Sequence, residues 1–317
     1  MGVRGDIILK RERVMLAASA EALYDFPVDT CGVLARALFA DGHGARVTAV
    51  FESSFYIEGN GGTACVVGRG ASAGPLNLVV PVSRPVNWPA SGLRVGADVR
   101  LDRSKCVVAH RFRFGMKSAT TWVPSAPARH WNGTTLRVGL DALQEIGAAR
   151  APIDGLGRLA CKMDRRGDRT VLLAQAEQVV AVLSVVLEAV LAAHRSTTAS
   201  DFACAGGLLG LGPGLTPSGD DFLGGLMIAL QVTGQGATCD ALWRALAPAA
   251  ETRTHAIARA HLAGAAQGMG SAIAHDVLTA TQEGRGGDLD SLCRALDQLG
   301  HTSGWDIVAG AVCALDA

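Results

Sequence analysis

No two cysteines in this sequence have the C-x-x-C spacing. The eight stand apart at positions 31, 65, 106, 161, 204, 239, 293 and 313. In a chain of 317 residues that is 49% apolar, this scatter excludes a small disulfide framework. It reads as small hydrophobes kept reduced in a cytoplasmic protein. An excess of charge is also missing: 29 Lys and Arg balance 29 Asp and Glu. Without a basic stripe or an acidic tail, nucleic acid is not the expected partner. Lys10-Arg11-Glu12-Arg13 is not followed by a clean apolar signal core. The most apolar run, Val179 to Ala193, is interrupted by Ser184 and Glu188. It falls short of the ~20 residues that cross a bilayer, so no membrane association is expected.

The familiar catalytic motifs fail in turn. Gly70 to Gly74 fits G-x-S-x-G, but Pro75 and the β-type run Leu76–Val82 follow where a nucleophile elbow needs a helix. Gly210, Gly212 and Gly214 are not G-x-G-x-x-G, since Leu215 stands at the third glycine position. There is no G-x-x-x-x-G-K-[ST], and no pair of histidines has the i, i+4 spacing of a zinc helix. His110, His130 and His194 read as structural or surface residues.

What is present divides into two compositional halves. Val47–Phe55, Thr63–Val67, Leu76–Val82, Gly96–Asp102 and Cys106–Phe114 are β-type runs separated by Gly, Asn and Pro. Helices are expected early, at about 12–24 and 30–39. From Val138 the periodicity becomes helical, over Val138–Gly147, Arg169–His194, Asp220–Val232, Cys239–Leu246, Thr254–Gln267, Ser271–Glu283, Leu289–Leu299 and Trp305–Leu315. Arg169–His194 is apolar on most faces and is expected in a core. The fold class is therefore α+β. A β-rich domain over 1–137, barrel-like or a small sheet, precedes an all-helical domain over 138–317.

Gly206–Gly214 holds five glycines in nine residues and leads through Thr216-Pro217-Ser218 into an apolar helix. Such a backbone can come close to a ligand. N–H groups at the helix start, with Gly212, Gly214, Thr216, Ser218 and Gly219, suit an anion such as phosphate or carboxylate. Asp220 and Asp221 would repel a bare phosphate. They suit Mg²⁺, a metal–phosphate complex or the N–H groups of an amide. A plainer reading makes Ser218 the N-cap and Asp221 the N3 residue of a capping box.

The pattern returns at Ser303-Gly304-Trp305-Asp306. Both segments place a further glycine six residues after the first, Gly225 and Gly310, where backbones can pack closely. Two helix starts are expected to converge on one pocket, with Asp306 orienting the second. His301, just before it, would be an acid/base or anion-binding group. Arg253, flanked by Thr252 and Thr254, suits bidentate contact with a carboxylate or phosphate.

The stretch GLGPGLTPSGDDFL at 210–223 resembles the signature of the DUF2877 family, which includes the AllH-type subunit of oxamate carbamoyltransferase. Thr252-Arg253-Thr254 and Gly300 to Asp306 resemble its later motifs. Gly74-Pro75 and Trp122-x-Pro124 resemble weaker landmarks. The resemblance implies a part in converting oxalurate and phosphate to oxamate and carbamoyl phosphate, in purine or allantoin nitrogen catabolism. It also implies two partner subunits, one FdrA-like and one DUF1116-like. A non-catalytic binding or assembly subunit, and a metal-dependent amide hydrolase using Asp220 and Asp221, are the alternatives the residues leave open.

Overall fold

A computed structural model describes residues 24–40, 44–82, 86–161, 170–193 and 196–317. Short alternating runs build one sheet at the start. Its strands are β1 (Tyr24–Pro27), β2 (Thr30–Gly32), β3 (Gly44–Val50), β4 (Ser54–Gly59), β5 (Gly62–Gly68), β6 (Asn77–Val80), β7 (Asp98–Asp102), β8 (Lys105–Val108), β9 (Phe112–Gly115) and β10 (Thr120–Trp122). They lie in the order β1-β9-β8-β7-β3-β4-β5-β6-β2-β10 and curl into a half-barrel. Helix α1 (Val33–Ala37) follows β2 directly.

The alternation sets the inner face. Ala45 and Val47 on β3, Phe55 and Ile57 on β4, and Phe112 and Phe114 on β9 all point into one core. Trp88, 1% exposed, sits among Phe26, Phe55, Phe112 and Phe114. β5 is buried from Thr63 to Val67, so its second face is covered as well. There Cys65, Val67 and Val79 pack with Tyr56.

Two expected strands are hairpins. Val47–Phe55 breaks between β3 and β4 at Phe51-Glu52-Ser53. Cys106–Phe114 turns at Ala109 and His110, with φ of 52° and 54°. Neither is a glycine or asparagine, so the sequence carries no ordinary turn signal there. The helix expected at 30–39 is shorter, because Thr30–Gly32 pairs with β6 and β10. The helix expected at 12–24 lies outside the described residues, apart from Tyr24, which is in β1.

The second half is helical: α2 (Gly133–Arg150), α3 (Val171–Ala193), α4 (Ser218–Val232), α5 (Gly236–Arg253), α6 (Ala256–Ala265), α7 (Ala272–Gln282), α8 (Gly286–Leu296) and α9 (Ser303–Leu315). A 3-10 segment, Ala199–Leu208, precedes α4 and is opened by a Thr198–Asp201 capping box. α4 is the central helix, buried from Phe222 to Leu230. α3 corrects an expectation, since its apolar sequence does not make it a core helix. Leu173, Ala176, Leu183, Leu187 and Val190 are buried, while Val182 and Val185 are exposed. With 23 residues and a mean hydropathy of 1.9 over an 18-residue stretch, it is long and apolar enough to cross a bilayer by length and composition alone.

The two halves meet at a seam. The Gly70–Gly74 segment is a turn, as expected, and docks on α7. Ala73 O accepts the Ala272 N–H at 2.7 Å, and Ser72 Oγ accepts the Ile273 N–H at 3.1 Å. Ser72 is therefore a helix-capping group, not an activated nucleophile.

Candidate functional site at two converging helix starts

α4 and α9 pack more closely than side chains allow. A Cβ on Gly225 would lie 1.9 Å from Ile307 O, and one on Gly310 would lie 1.8 Å from Phe222 O. The paired glycines let the two backbones touch, and this brings the helix starts together. Ser218 Oγ lies 3.5 Å from Thr302 Oγ1, and Thr216 Oγ1 lies 3.4 Å from Ser303 Oγ.

Local geometry corrects the capping-box reading. The N-caps are Pro217 and Thr302, neither of which caps with its side chain, and Ser218 and Ser303 are the first helical residues. One step into the helix turns each hydroxyl away from its own backbone and toward the other helix. Ser303 approaches Asp221, and Ser218 approaches Asp306. The repeated Ser-Gly-x-Asp pattern is thus a reciprocal pair, each serine facing the other segment's aspartate.

Neither aspartate is fully satisfied. Asp306 is fully buried, and its Oδ1 accepts the Leu156 N–H at 2.5 Å. Asp306 Oδ2 and Asp221 Oδ2 are buried without a well-directed hydrogen bond. Burial pushes the Asp221 carboxyl well above the usual carboxylate range, the Ser303 hydroxyl opposes this, and the nearby charges of Asp306 and Asp220 add to it. Asp306 is also raised, chiefly by burial and against the hydroxyls of Ser218 and Thr302.

Asp220 is placed differently. Its Oδ1 accepts the Gly210 N–H at 2.9 Å and its Oδ2 accepts a short hydrogen bond from the Thr254 hydroxyl. It ties the glycine loop to the end of α5. Burial raises its pKa, while Thr254 and Gly210 pull it back. At Gly210, φ is +69°, and a Cβ would lie 2.0 Å from Arg253 O, so only glycine fits. The Arg253 guanidinium lies close to Gly206 and is exposed.

The loop also closes over the helix start. The Gly219 N–H donates to Leu211 O at 2.8 Å, as the Gly304 N–H does to Leu299 O at 3.1 Å. Those two amides, expected to face an anion, are engaged within the chain. Gly212 and Gly214 both have positive φ, at 117° and 93°. His301 is outside this cluster: its side chain is 79% exposed and its Nε2 lies 3.4 Å from Asp154 Oδ2.

The structure therefore brings together Thr216, Ser218, Asp221, Ser303 and Asp306, with Asp220, Thr254 and Arg253 behind them. Thr302 and the 155–157 segment over Asp306 were not expected. No local signal marks residues whose role depends on a segment some 150 positions away. Among the described residues, no group of three or more His, Cys, Asp or Glu side chains is arranged to hold a metal. With both Asp220 oxygens engaged, the Asp220–Asp221 pair fits a resident divalent ion poorly.

These features define a mixed α+β protein: a curled half-barrel sheet followed by a helical region built round two paired Ser-Gly-x-Asp helix starts. Residues 208–315, from the glycine loop through α9, match the family described as oxamate carbamoyltransferase subunit AllH, so this segment is similar to that family. The matched segment holds the whole reciprocal pair. No curated protein and no solved structure matches the chain.

Proposed function

We propose that this chain is a subunit of an oxamate carbamoyltransferase-type enzyme and that its small substrate binds at the α4 and α9 starts. The observation that carries this reading is the reciprocal Ser218–Asp306 and Ser303–Asp221 arrangement inside the AllH-like region. Buried carboxyl oxygens without a well-directed hydrogen bond, one on Asp221 and one on Asp306, are costly unless a ligand or a proton meets them.

The reaction is oxalurate plus phosphate giving oxamate plus carbamoyl phosphate. A phosphate oxygen forms a bond to the ureido carbon, and the bond from that carbon to the oxamoyl nitrogen breaks. The proton of hydrogen phosphate ends on the departing nitrogen, so charge and atoms balance. A carboxyl held protonated, as burial favours at Asp221, can give that nitrogen a proton and regain one from the attacking phosphate. Arg253, Ser218 and Ser303 would hold the anionic groups, with Gly212, Gly214, Thr216 and Gly304 shaping the cradle. His301 would act at the rim. No step needs a metal in this scheme. FdrA-like and DUF1116-like subunits would complete the enzyme.

The test is carbamoyl phosphate formation from oxalurate and phosphate by the full chain, alone and with both partner subunits. Asp221→Asn should lower kcat by at least ~100-fold. If Asp221→Asn and Arg253→Ala both turn over like the wild type, the site is wrongly placed. A second reading is a subunit that holds the ligand while a partner does the chemistry. It is favoured by the internal satisfaction of Asp220, Gly219 and Gly304. Ligand binding with no effect of Asp221→Asn on kcat would select it.

A further inference from the structure

The sheet also meets the helical half at α6. On β4, Phe55 and Ile57 enter the barrel core, so Tyr56 faces the opposite way, toward the helices. Its hydroxyl lies 3.4 Å from His261 Nε2 on α6, and the two rings meet edge to face at 6.3 Å. Neither side chain is fully enclosed. α6 packs on α4, and Tyr56 stands within electrostatic reach of Asp221. Two polar groups from distant parts of the chain thus meet at this seam, and Asp221, within electrostatic reach of them, carries a buried oxygen without a well-directed hydrogen bond.

Resting on the function proposed above, we infer that Tyr56 and His261 form the amide-recognising wall of that site, binding the uncharged –CO–NH– or –CO–NH₂ end of the substrate beside Asp221.

The hydrogen-bond inventory supports this choice of ligand. Burial raises the Tyr56 hydroxyl well above its ordinary value, and burial alone lowers His261 to about 4. Both are therefore neutral near pH 7. Tyr56 also shares a hydrogen bond with the neutral Cys65 thiol; with the Tyr56 hydroxyl donating to His261 Nε2 and accepting from Cys65, the histidine still has one N–H to give and the tyrosine oxygen a lone pair to receive. An amide needs both, a donor for its carbonyl and an acceptor for its N–H. A carboxylate or phosphate offers only acceptors. Asp221 Oδ2 supplies a further acceptor for amide hydrogens. The anionic end of the substrate is left to the Arg253 side.

Oxamate and oxalate have nearly the same shape and differ in one amide against one carboxylate, so their ratio reads this wall. Calorimetric titration of the full chain should show oxamate bound at least about tenfold tighter than oxalate. Tyr56→Phe, which keeps the ring packing, and His261→Gln should each weaken oxamate by about five- to tenfold and leave oxalate unchanged. A preference that persists in both variants overturns the inference and leaves the proposed function standing. So does a parallel loss of both ligands, which would mark a merely structural pair. A wild-type chain that binds neither compound overturns the inference and the proposed function together.

Discussion

Replacing Gly225 by alanine tests the contact that creates the site. The new Cβ would lie 1.9 Å from Ile307 O, where ordinary contact is about 3.5 Å. The obstacle is backbone in a helix, which no rotamer change can move, so α4 and α9 must separate by about 1.5 Å. Overpacking of this kind costs about 1–3 kcal/mol, and a rigid backbone neighbour puts this case near 3. Alanine regains about 1 kcal/mol of helix propensity over glycine, leaving a net loss of about 2 kcal/mol. The adjacent Gly224 is an internal control: its Cβ would meet only the Ala265 methyl at 3.7 Å. Gly224→Ala should be neutral or stabilising by up to about 1 kcal/mol. Urea midpoints at unchanged slope measure both, and Tm should fall by about 5 °C in Gly225→Ala alone. Because the separation also parts Ser218 from Asp306, oxamate binding should weaken in the same variant. Equal midpoints for the two variants would refute the claim that backbone contact holds the helix starts together.

Further outcomes are expected. Burial raises the folded-state pKa of Asp221 above its ordinary 3.8, so folding favours the proton and stability falls as pH rises beyond that value. Asp221→Asn removes this cost, and its Tm advantage over the wild type should be larger at pH 8 than at pH 5; a gap that narrows with pH would contradict the assignment. His261 is lowered from 6.5 to about 4, so its contribution is present above pH 6.5 and is lost as pH falls toward 4, by at most about 3 kcal/mol. Denaturant titrations across that window should show a shallower acid loss in His261→Gln. Thr254→Val deprives Asp220 of its hydroxyl partner and should cost about 1–3 kcal/mol, seen as a lower urea midpoint. Putting Asn-Gly at the strained Ala109-His110 turn should gain about 1 kcal/mol, measured as a higher Tm.

The order of a strand-rich part and a helical part was legible because period-2 and period-3.6 apolar patterns are local. The starts and ends of α4, α7 and α9 were readable within a few residues for the same reason. So were the paired glycines Gly225 and Gly310, which repeat at one spacing from Ser-Gly. The strands β1, β2 and β10 were not legible. They have 4, 3 and 3 residues, and their parallel partners lie about 90 positions away. Nor could composition show that α3 exposes much of its apolar surface, since what covers a helix depends on its neighbours.

At the site, the sequence by itself determined the chemistry: two hydroxyl-glycine-carboxyl helix starts and a glycine loop leading into the first. Tertiary structure decided what those groups face. Whether Ser218 caps its own helix or reaches Asp306 depends on a one-residue difference in where the helix begins and on the close crossing of α4 with α9. The meeting of Tyr56 with His261, 205 positions apart, depends on the sheet docking against the helices. Local backbone preferences act over a few residues, whereas the pairing of distant polar groups follows from how apolar faces and glycine contacts pack, and only the folded chain fixes that.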